Sequence, residues 1–179
     1  MDRADWNIFN ILHIQTKESK FREMKESEDV RVSAKAIIVE DNKLLTAKKE
    51  DENGFFYTIP GGGQNHSENL EQALVRECLE EISVEIKMKR LLFIRDYIGA
   101  NHEFPEHAAR KVHHLEIMFE AEIISGTPQN GSEPDNGQLS VEWLPLDELD
   151  RYRLYPKALI KHLKNYSDIN EGIYLGDVN

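Results

Sequence analysis

A glycine-rich turn followed by an uninterrupted, glutamate-rich segment constrains the fold of this chain more than any other feature. Residues 60–63 read Pro-Gly-Gly-Gly and end a strand-like run over residues 55–59. Residues 68–82 then contain neither Gly nor Pro and are rich in Glu, Leu, Ala and Arg, which favour helix. The sequence therefore predicts a strand, a turn and a helix over 68–82, with Ser67 as the helix N-cap.

The predicted helix separates an apolar face from an acidic one. At 100° per residue, Glu77, Glu80 and Glu81 fall within an arc of about 100°, and Cys78 lies on the apolar side. Carboxylates at these spacings repel by about 0.2–0.5 kcal/mol per pair, and Arg76 relieves only part of that repulsion. A hard divalent cation such as Mg²⁺ or Mn²⁺ would neutralise the cluster; a solvated charged face is the alternative.

Six residues of this region stand at the spacing of a known signature. In that signature Gly is followed after five residues by Glu, after seven more by Arg-Glu, and after two more by Glu-Glu. The matching residues are Gly62, Glu68, Arg76, Glu77, Glu80 and Glu81. At ordinary residue frequencies such a match arises by chance on the order of once in ten million start positions. The segment resembles the signature of the Nudix hydrolases.

The resemblance extends over roughly residues 32–165, because the strand before the turn and residues 141–146 also resemble Nudix segments. It departs from the family pattern at two positions. Cys78 stands at an aliphatic position, which a small buried thiol can fill. Ser83 stands where the family has Gly, and if this position requires a positive φ angle, serine costs about 1 kcal/mol of strain.

The resemblance implies a fold and an activity. The implied fold is α+β, a Nudix-like α/β/α sandwich with a mixed sheet. Its organisation is an N-terminal extension over 1–30, a hydrolase domain over 31–166 and a C-terminal tail over 167–179. The implied activity is Mg²⁺- or Mn²⁺-dependent cleavage of a pyrophosphate bond in a nucleoside diphosphate derivative, of nucleotide sugar, ADP-ribose or nucleoside triphosphate type.

Two other functions compete with this one. A non-catalytic Nudix-like nucleotide-binding or regulatory module need not keep an electrostatically unfavourable glutamate triad, so the intact triad argues against it. Isopentenyl diphosphate isomerisation by a related fold requires a catalytic cysteine in a polar cleft. Cys78 lies within the apolar arc of the helix instead.

The resemblance also implies roles for individual residues. The implied metal ligands, which all present oxygen, are Glu77, Glu81, Glu80 and the backbone carbonyl of Gly61. Glu80, Glu81 and Arg76 are expected to take part in catalysis, Glu80 as a ligand or as a proton acceptor. Glu68 is expected to bind Arg76 and hold the glycine turn against the helix, two solvated charges being the alternative.

Two long loops offer further candidates. The loop over 125–138 is dense in Gly, Pro, Asn, Ser and Asp and offers Glu133 as the general base, with Asp135 nearby. The rival bases are Glu103, Glu106 and Glu80. The expected substrate-binding residues are Gly62, Gly63, Lys48 and Arg110, although Lys48 also suits a charged strand end and Arg110 a solvated loop.

Alternating and β-branched patterns predict the remaining elements. The predicted strands cover residues 32–39, 44–47, 84–97, 112–124 and 139–144. Asp41 and Asn42 form the turn of the first hairpin, and the strand over 112–124 buries one face. Pro156 opens a final helix.

Charge and composition exclude several function classes. The chain has 22 Lys and Arg against 33 Asp and Glu, a formal net charge of −11, which disfavours binding to long nucleic acid. Its single cysteine excludes an intramolecular disulfide and a multi-cysteine zinc site. No signal peptide and no apolar run near the ~20 residues of a membrane helix is visible. We therefore expect a soluble, cytoplasmic protein that binds a small-molecule nucleotide, with a homodimer left open.

Overall fold

The structure is a computed structural model that describes residues 29–103, 107 and 111–179. It divides into two compact units. The larger unit consists of Arg31–Tyr97 and His114–Asn179, and the other takes Met1–Val30 and Ile98–His113, most of which lies outside the described residues. The larger unit carries both the glycine-rich turn and the predicted glutamate helix.

Among the described residues, three strands precede the long helix, and five strands and a short helix follow it. The first part contains β1 (Arg31–Glu40), β2 (Lys43–Asp51), β3 (Gly54–Thr58) and α1 (Leu70–Ile82). The second part contains β4 (Val84–Ile98), β5 (His113–Gly126), β6 (Gln138–Pro145), β7 (Leu154–Tyr155), α2 (Ile160–Leu163) and β8 (Ile173–Asp177). Short 3₁₀ turns cover Gly99–Asn101, Leu146–Arg151, Lys157–Leu159 and Tyr166–Asp168.

The eight strands form one mixed sheet in the order β7-β3-β2-β1-β5-β4-β8, and β6 also pairs with β2. Strand β1 runs antiparallel to β2 and parallel to β5. Its side chains alternate between two apolar clusters: Ile38 packs with α1, whereas Ile37 packs with the 3₁₀ turns and α2. Helical elements thus cover both faces of the sheet, which confirms the predicted α/β/α sandwich.

Helix α1 begins two residues later than predicted. Its N-cap is Asn69, whose side chain accepts from the amide of Gln72 at 2.8 Å while the Gln72 side chain accepts from the Asn69 amide at 2.9 Å. This capping box satisfies two of the amides that a helix leaves free at its start. Ser67, the predicted N-cap, has φ +70° and lies before the helix.

Strand β5 is buried on both faces and not on the predicted one alone. Ala121 is buried on the predicted face and Glu116 and Met118 on the other, because β5 lies between β1 and β4 in the interior of the sheet. The Glu116 carboxylate is tolerated there because it accepts a 2.7 Å hydrogen bond from Arg95 Nε. Burial raises the pKa of Glu116, but Arg95 and Lys35 outweigh it and hold the pKa below its ordinary value.

Two regions near the C-terminus differ from the sequence expectations. The helix predicted after Pro156 is a 3₁₀ turn over Lys157–Leu159 followed by the single turn of α2. Residues 167–179, expected as a tail, contribute β8, which pairs in parallel with β4. The Arg95 guanidinium donates to the carbonyl of Val178 and helps to hold this segment on the sheet.

None of the helices in the described part of the chain has the length and apolar content needed to cross a bilayer.

Candidate active site

The glycine turn packs directly on β1 at the base of α1. The amide of Ala34 donates to the carbonyl of Gly62 at 3.0 Å, and a Cβ on Gly61 would lie 2.3 Å from the carbonyl oxygen of Ala34. Gly61 also has φ +114°, which favours glycine. A Cβ on Gly62 would lie 2.4–2.6 Å from the carboxylate of Glu77. These glycines therefore let the first strand, the turn and the helix carboxylates approach one another closely.

Arg76 is the centre of an ion-pair network on the outer face of α1. Its Nε and Nη2 donate to the two Glu68 oxygens at 2.7 and 3.0 Å, and Nη2 also donates to the Gly63 carbonyl at 3.0 Å. Nη1 donates to Glu77 at 2.8 Å and to Glu80 at 2.9 Å. Arg76 lowers the pKa of Glu68 to about 2. The predicted contact between Glu68 and Arg76 is present, and it ties the glycine turn to the helix.

Glu81 lies deeper than the other two glutamates and is only 5% exposed. Its carboxylate accepts a 2.7 Å hydrogen bond from the amide of Gly61, and the Lys35 ammonium donates to the carbonyl of that same glycine. Burial raises the pKa of Glu81 to about 7, although Lys35 and the Gly61 amide oppose the rise. Asp135 and Glu77 add to it through repulsion. Near neutral pH this carboxyl can therefore hold or release a proton.

An open polar cleft of about 470 Å³ lies against this face of the helix. Its lining residues are Asn65, Arg76, Glu77, Glu80, Glu81, Glu133, Pro134, Asp135 and Asn136. The structure thus brings the three predicted metal-binding glutamates together with Glu133, the predicted base. The Asp135 carboxylate accepts a hydrogen bond from the Lys49 ammonium on β2. Burial raises the pKa of Asp135, but the opposing effect of Lys49 and Lys35 is larger, so this pKa lies below its ordinary value.

Other predicted site residues lie elsewhere or outside the described residues. Lys48, expected to bind substrate, donates to Glu142 at 2.9 Å, and its ammonium lies 4.1 Å from the centre of the Phe55 ring. Its charge is therefore engaged on the strand end and not in the cleft. Arg110, Glu106 and the N-terminal extension lie outside the described residues. Glu103 belongs to the smaller unit.

The donor atoms of the site suit a hard divalent cation in kind. Three carboxylates and the Gly61 carbonyl present only oxygen, the donor type that Mg²⁺ and Mn²⁺ prefer. As the side chains lie, Arg76 binds one oxygen of Glu77 and one of Glu80, and Lys35 binds the Gly61 carbonyl. The Gly61 amide binds one oxygen of Glu81. Within residues 29–103, 107 and 111–179, no three carboxylate, imidazole or thiol groups converge closely enough to hold a metal ion. A metal ion held by all three carboxylates therefore requires their side chains to move closer together.

Ser83 ends α1 in the left-handed conformation, with φ 57° and ψ 31°. The glycine position of the signature thus does require a positive φ in this chain, and serine adopts it at a cost in strain. The helix still ends at this residue, and the Ser83 amide donates to the Leu79 carbonyl at 3.2 Å.

Sequence reasoning missed Lys35, one of the two lysines that contact the site, whereas Lys49 was considered with Lys48 as a possible phosphate contact or a charged strand end. Lys35 interrupts the otherwise apolar run of β1, and a lone cation in a buried strand was the available signal. Lys49 adjoins Lys48 in the sequence, and alternation along β2 decides which of the two reaches Asp135. Local sequence pattern does not predict that Asp135, in the loop before β6, is the partner of Lys49.

Comparison with known proteins identifies the family and the fold. The NUDIX domain family matches residues 29–164. An ADP-ribose pyrophosphatase from Methanocaldococcus jannaschii is 29% identical over 132 residues, 73% of this chain and 70% of the relative. An 8-oxo-dGTP diphosphatase from Proteus vulgaris is 31% identical over 85 residues, 46% of this chain and 71% of the relative. The solved NUDIX hydrolase from Nitrosomonas europaea shares the fold, with a TM-score of 0.62 at 20% identity over 78% of this chain and 89% of that one.

The family match spans well over half of the chain, and both curated relatives are named as a pyrophosphatase or a diphosphatase. The molecule is therefore an enzyme that hydrolyses pyrophosphate bonds. It belongs to the NUDIX family, as the spacing from Gly62 to Glu81 predicted.

Proposed function

We propose that this enzyme cleaves a pyrophosphate bond in a small nucleoside diphosphate derivative, with Mg²⁺ or Mn²⁺ held on the acidic face of α1. The observation that carries the proposal is that Glu77, Glu80 and Glu81 all line one polar cleft beside the glycine turn. The names of the curated relatives support two substrate types, ADP-ribose and an oxidised nucleoside triphosphate.

Each cleft residue has a role in this proposal. Glu77 and Glu81, with Glu80 and the Gly61 carbonyl, hold the cation. When bound, such a cation neutralises phosphate charge and orients the phosphates for in-line displacement. Arg76 orients the carboxylates of Glu77 and Glu80, to which it donates at 2.8 and 2.9 Å.

Two further groups complete the site. Gly62 and Gly63 leave no room for a side chain, because a Cβ would lie 2.4 Å from the Glu77 carboxylate and 2.4 Å from the Arg31 guanidinium, and their backbone lies beside the proposed phosphate site. Glu133 is exposed at the cleft and accepts a proton from the attacking water. For ADP-ribose, water adds to one phosphorus, the bridging oxygen leaves with the other phosphate, and the products are AMP and ribose 5-phosphate.

A substrate panel tests this proposal. The purified enzyme is incubated with ADP-ribose, a nucleotide sugar and 8-oxo-dGTP, each with Mg²⁺, with Mn²⁺ and after exhaustive chelation. Products are separated by chromatography, and both the nucleoside monophosphate and the phosphate-bearing leaving group are quantified. We expect at least one substrate to be cleaved only when metal is supplied. Full activity after chelation, or no cleavage of any substrate with either metal, contradicts the proposal.

A further inference from the structure

The last turn of α1 ends against residues 129–133 of the loop that leads to β6. Alternate amides of this stretch donate to consecutive carbonyls of the helix. The pairs are Gln129 to Ile82 at 3.2 Å, Gly131 to Glu81 at 3.0 Å and Glu133 to Glu80 at 2.9 Å. The loop therefore runs antiparallel to the helix, and every second amide of this stretch faces it.

These contacts complete the C-terminus of the helix. An α-helix leaves its last four carbonyls without partners inside the helix. Ser83 satisfies the carbonyl of Leu79 at 3.2 Å, and the loop amides satisfy the next three. The loop thus supplements the C-cap residue Ser83 at the end of the helix, and it is bound to the backbone of Glu80 and Glu81.

Gly131 is the residue that makes this close approach sterically allowed. A Cβ at this position would lie 2.1 Å from the carbonyl oxygen of Glu80 and 2.9 Å from that of Leu79. Both obstacles are helix backbone, which cannot move aside as a flexible side chain can. Only glycine therefore permits the loop to dock at this distance.

A side-chain relay reinforces the docking. Gln138 donates through Nε2 to the Glu81 carbonyl at 2.9 Å and to Asn130 Oδ1 at 3.0 Å. Asn130 donates in turn to the Leu139 carbonyl at 3.0 Å. The start of β6, the docked stretch and the end of α1 are therefore bound to one another at this point.

We propose that Gly131 is a positioning residue, which docks residues 129–133 on the helix end and so fixes Glu133 over the cleft relative to Glu80 and Glu81. This inference rests on the proposed function, in which Glu133 is the base. Under this proposal, the position of the segment that carries Glu133 is set by its hydrogen bonds to α1, the helix that carries the proposed metal ligands.

The test compares Gly131→Ala with Ser132→Ala, an exposed neighbour in the same loop. A misplacement of the base by about 1 Å lowers turnover by about 100-fold, so we expect kcat of Gly131→Ala to fall by that order while KM changes by less than about threefold. Ser132→Ala keeps wild-type kcat. Gln138→Ala, which removes a donor without creating a clash, is the second variant and lowers kcat by about tenfold.

A double variant separates positioning from general destabilisation. If Gly131 acts through Glu133, kcat of Gly131→Ala/Glu133→Gln equals that of Glu133→Gln alone. Multiplicative losses overturn the inference, and so does wild-type kcat in Gly131→Ala or in Glu133→Gln.

Hydrogen exchange supplies a readout that does not depend on turnover. The amides of Gln129, Gly131 and Glu133 are expected to be protected in the wild type and to exchange faster in Gly131→Ala. Unprotected amides in the wild type overturn the docking itself. A wild type that cleaves no substrate is a failure of the proposed function, whereas an active wild type with multiplicative losses is a failure of this inference alone.

Discussion

Arg76 and Glu68 form a bidentate ion pair, with N–O distances of 2.7 and 3.0 Å, that joins the segment before α1 to its second turn. Arg76 makes three more hydrogen bonds, to Gly63, Glu77 and Glu80. Its planar guanidinium has five N–H donors, and this geometry uses all three of its nitrogens. One side chain therefore connects the glycine turn, the capping segment and two of the proposed metal ligands.

We predict that Arg76→Met lowers the free energy of unfolding by about 2–4 kcal/mol, because it leaves a cluster of partly buried carboxylates without their counter-charge. Chemical denaturation in metal-free buffer measures the loss. The matched control is Arg151→Met, which removes an arginine that is 72% exposed and paired with Glu148, and costs less than about 0.5 kcal/mol. Equal losses in the two variants would show that the network has no special structural role.

The metal-ligand assignments predict a loss of turnover without a loss of fold. Glu77→Gln and Glu81→Gln should each lower kcat by about two orders of magnitude or more, equivalent to about 3 kcal/mol of transition-state stabilisation. The control is Glu71→Gln, in the exposed first turn of the same helix. The measurement is steady-state kcat of each variant at saturating Mg²⁺. If Glu77→Gln or Glu81→Gln keeps wild-type kcat, that residue is not a metal ligand.

The buried carboxyl of Glu81 predicts how stability changes with pH. Its pKa is raised from 4.5 to about 7 in the folded protein, so its charged form is less favourable there than in the unfolded chain. Below about pH 4.5 it is protonated in both states and contributes nothing. Between about pH 4.5 and 7 the unfolded chain releases this proton while the folded protein keeps it, so the free energy of unfolding falls by about 3 kcal/mol across this range and falls no further above pH 7.

Urea unfolding from pH 4.5 to 8.5 in chelator tests this expectation. Glu81→Gln, which cannot ionise, should gain stability relative to the wild type as pH rises, and Glu71→Gln should follow the wild type. A constant difference between Glu81→Gln and the wild type across this range would show that the folded pKa of Glu81 is not raised.

Local sequence pattern explains most of the fold and the acidic face of the site. The hairpin turn at Asp41 and Asn42 is present, with φ of 47° and 59°, and the glutamate spacing indicated which carboxylates share a cleft. The start of α1 was misplaced because Ser67 and Asn69 are both good N-caps, and only the reciprocal contact with Gln72 distinguishes them.

Contacts between distant segments were beyond such reasoning. The Lys35 ammonium reaches the Gly61 carbonyl, and Gly131 meets the Glu80 carbonyl, only because the sheet and the loop bring separate parts of the chain together. Strand β8 was missed for the same reason: its five residues pair with β4, and they carry little alternation of their own.

Ser83 offers a test of backbone strain at the helix exit. Because glycine adopts the left-handed region without a Cβ clash, Ser83→Gly should raise the free energy of unfolding by about 1 kcal/mol and leave turnover unchanged. Ser83→Ala is the matched variant, since it removes the hydroxyl but keeps the Cβ and therefore the strain. Thermal and chemical unfolding of both variants decides the point. A stability gain in Ser83→Ala equal to that in Ser83→Gly would contradict the strain explanation.

The last prediction concerns the base. Glu133 is exposed at the cleft, two residues beyond Gly131, and its amide is bound to the carbonyl of Glu80. Loss of a general base lowers turnover by about 10²–10⁴-fold, so Glu133→Gln should lose kcat by this order while KM for the substrate changes little. Glu103→Gln and Glu106→Gln, which alter the rival carboxylates of the first loop, should keep kcat near the wild-type value. The kcat of the three variants is measured side by side at saturating Mg²⁺ from pH 4.5 to 8.5. If kcat of Glu133→Gln stays within about threefold of the wild type while kcat of one rival variant falls by 10²-fold or more, the base is that rival. If kcat of all three variants stays near the wild-type value, the proton acceptor is Glu80.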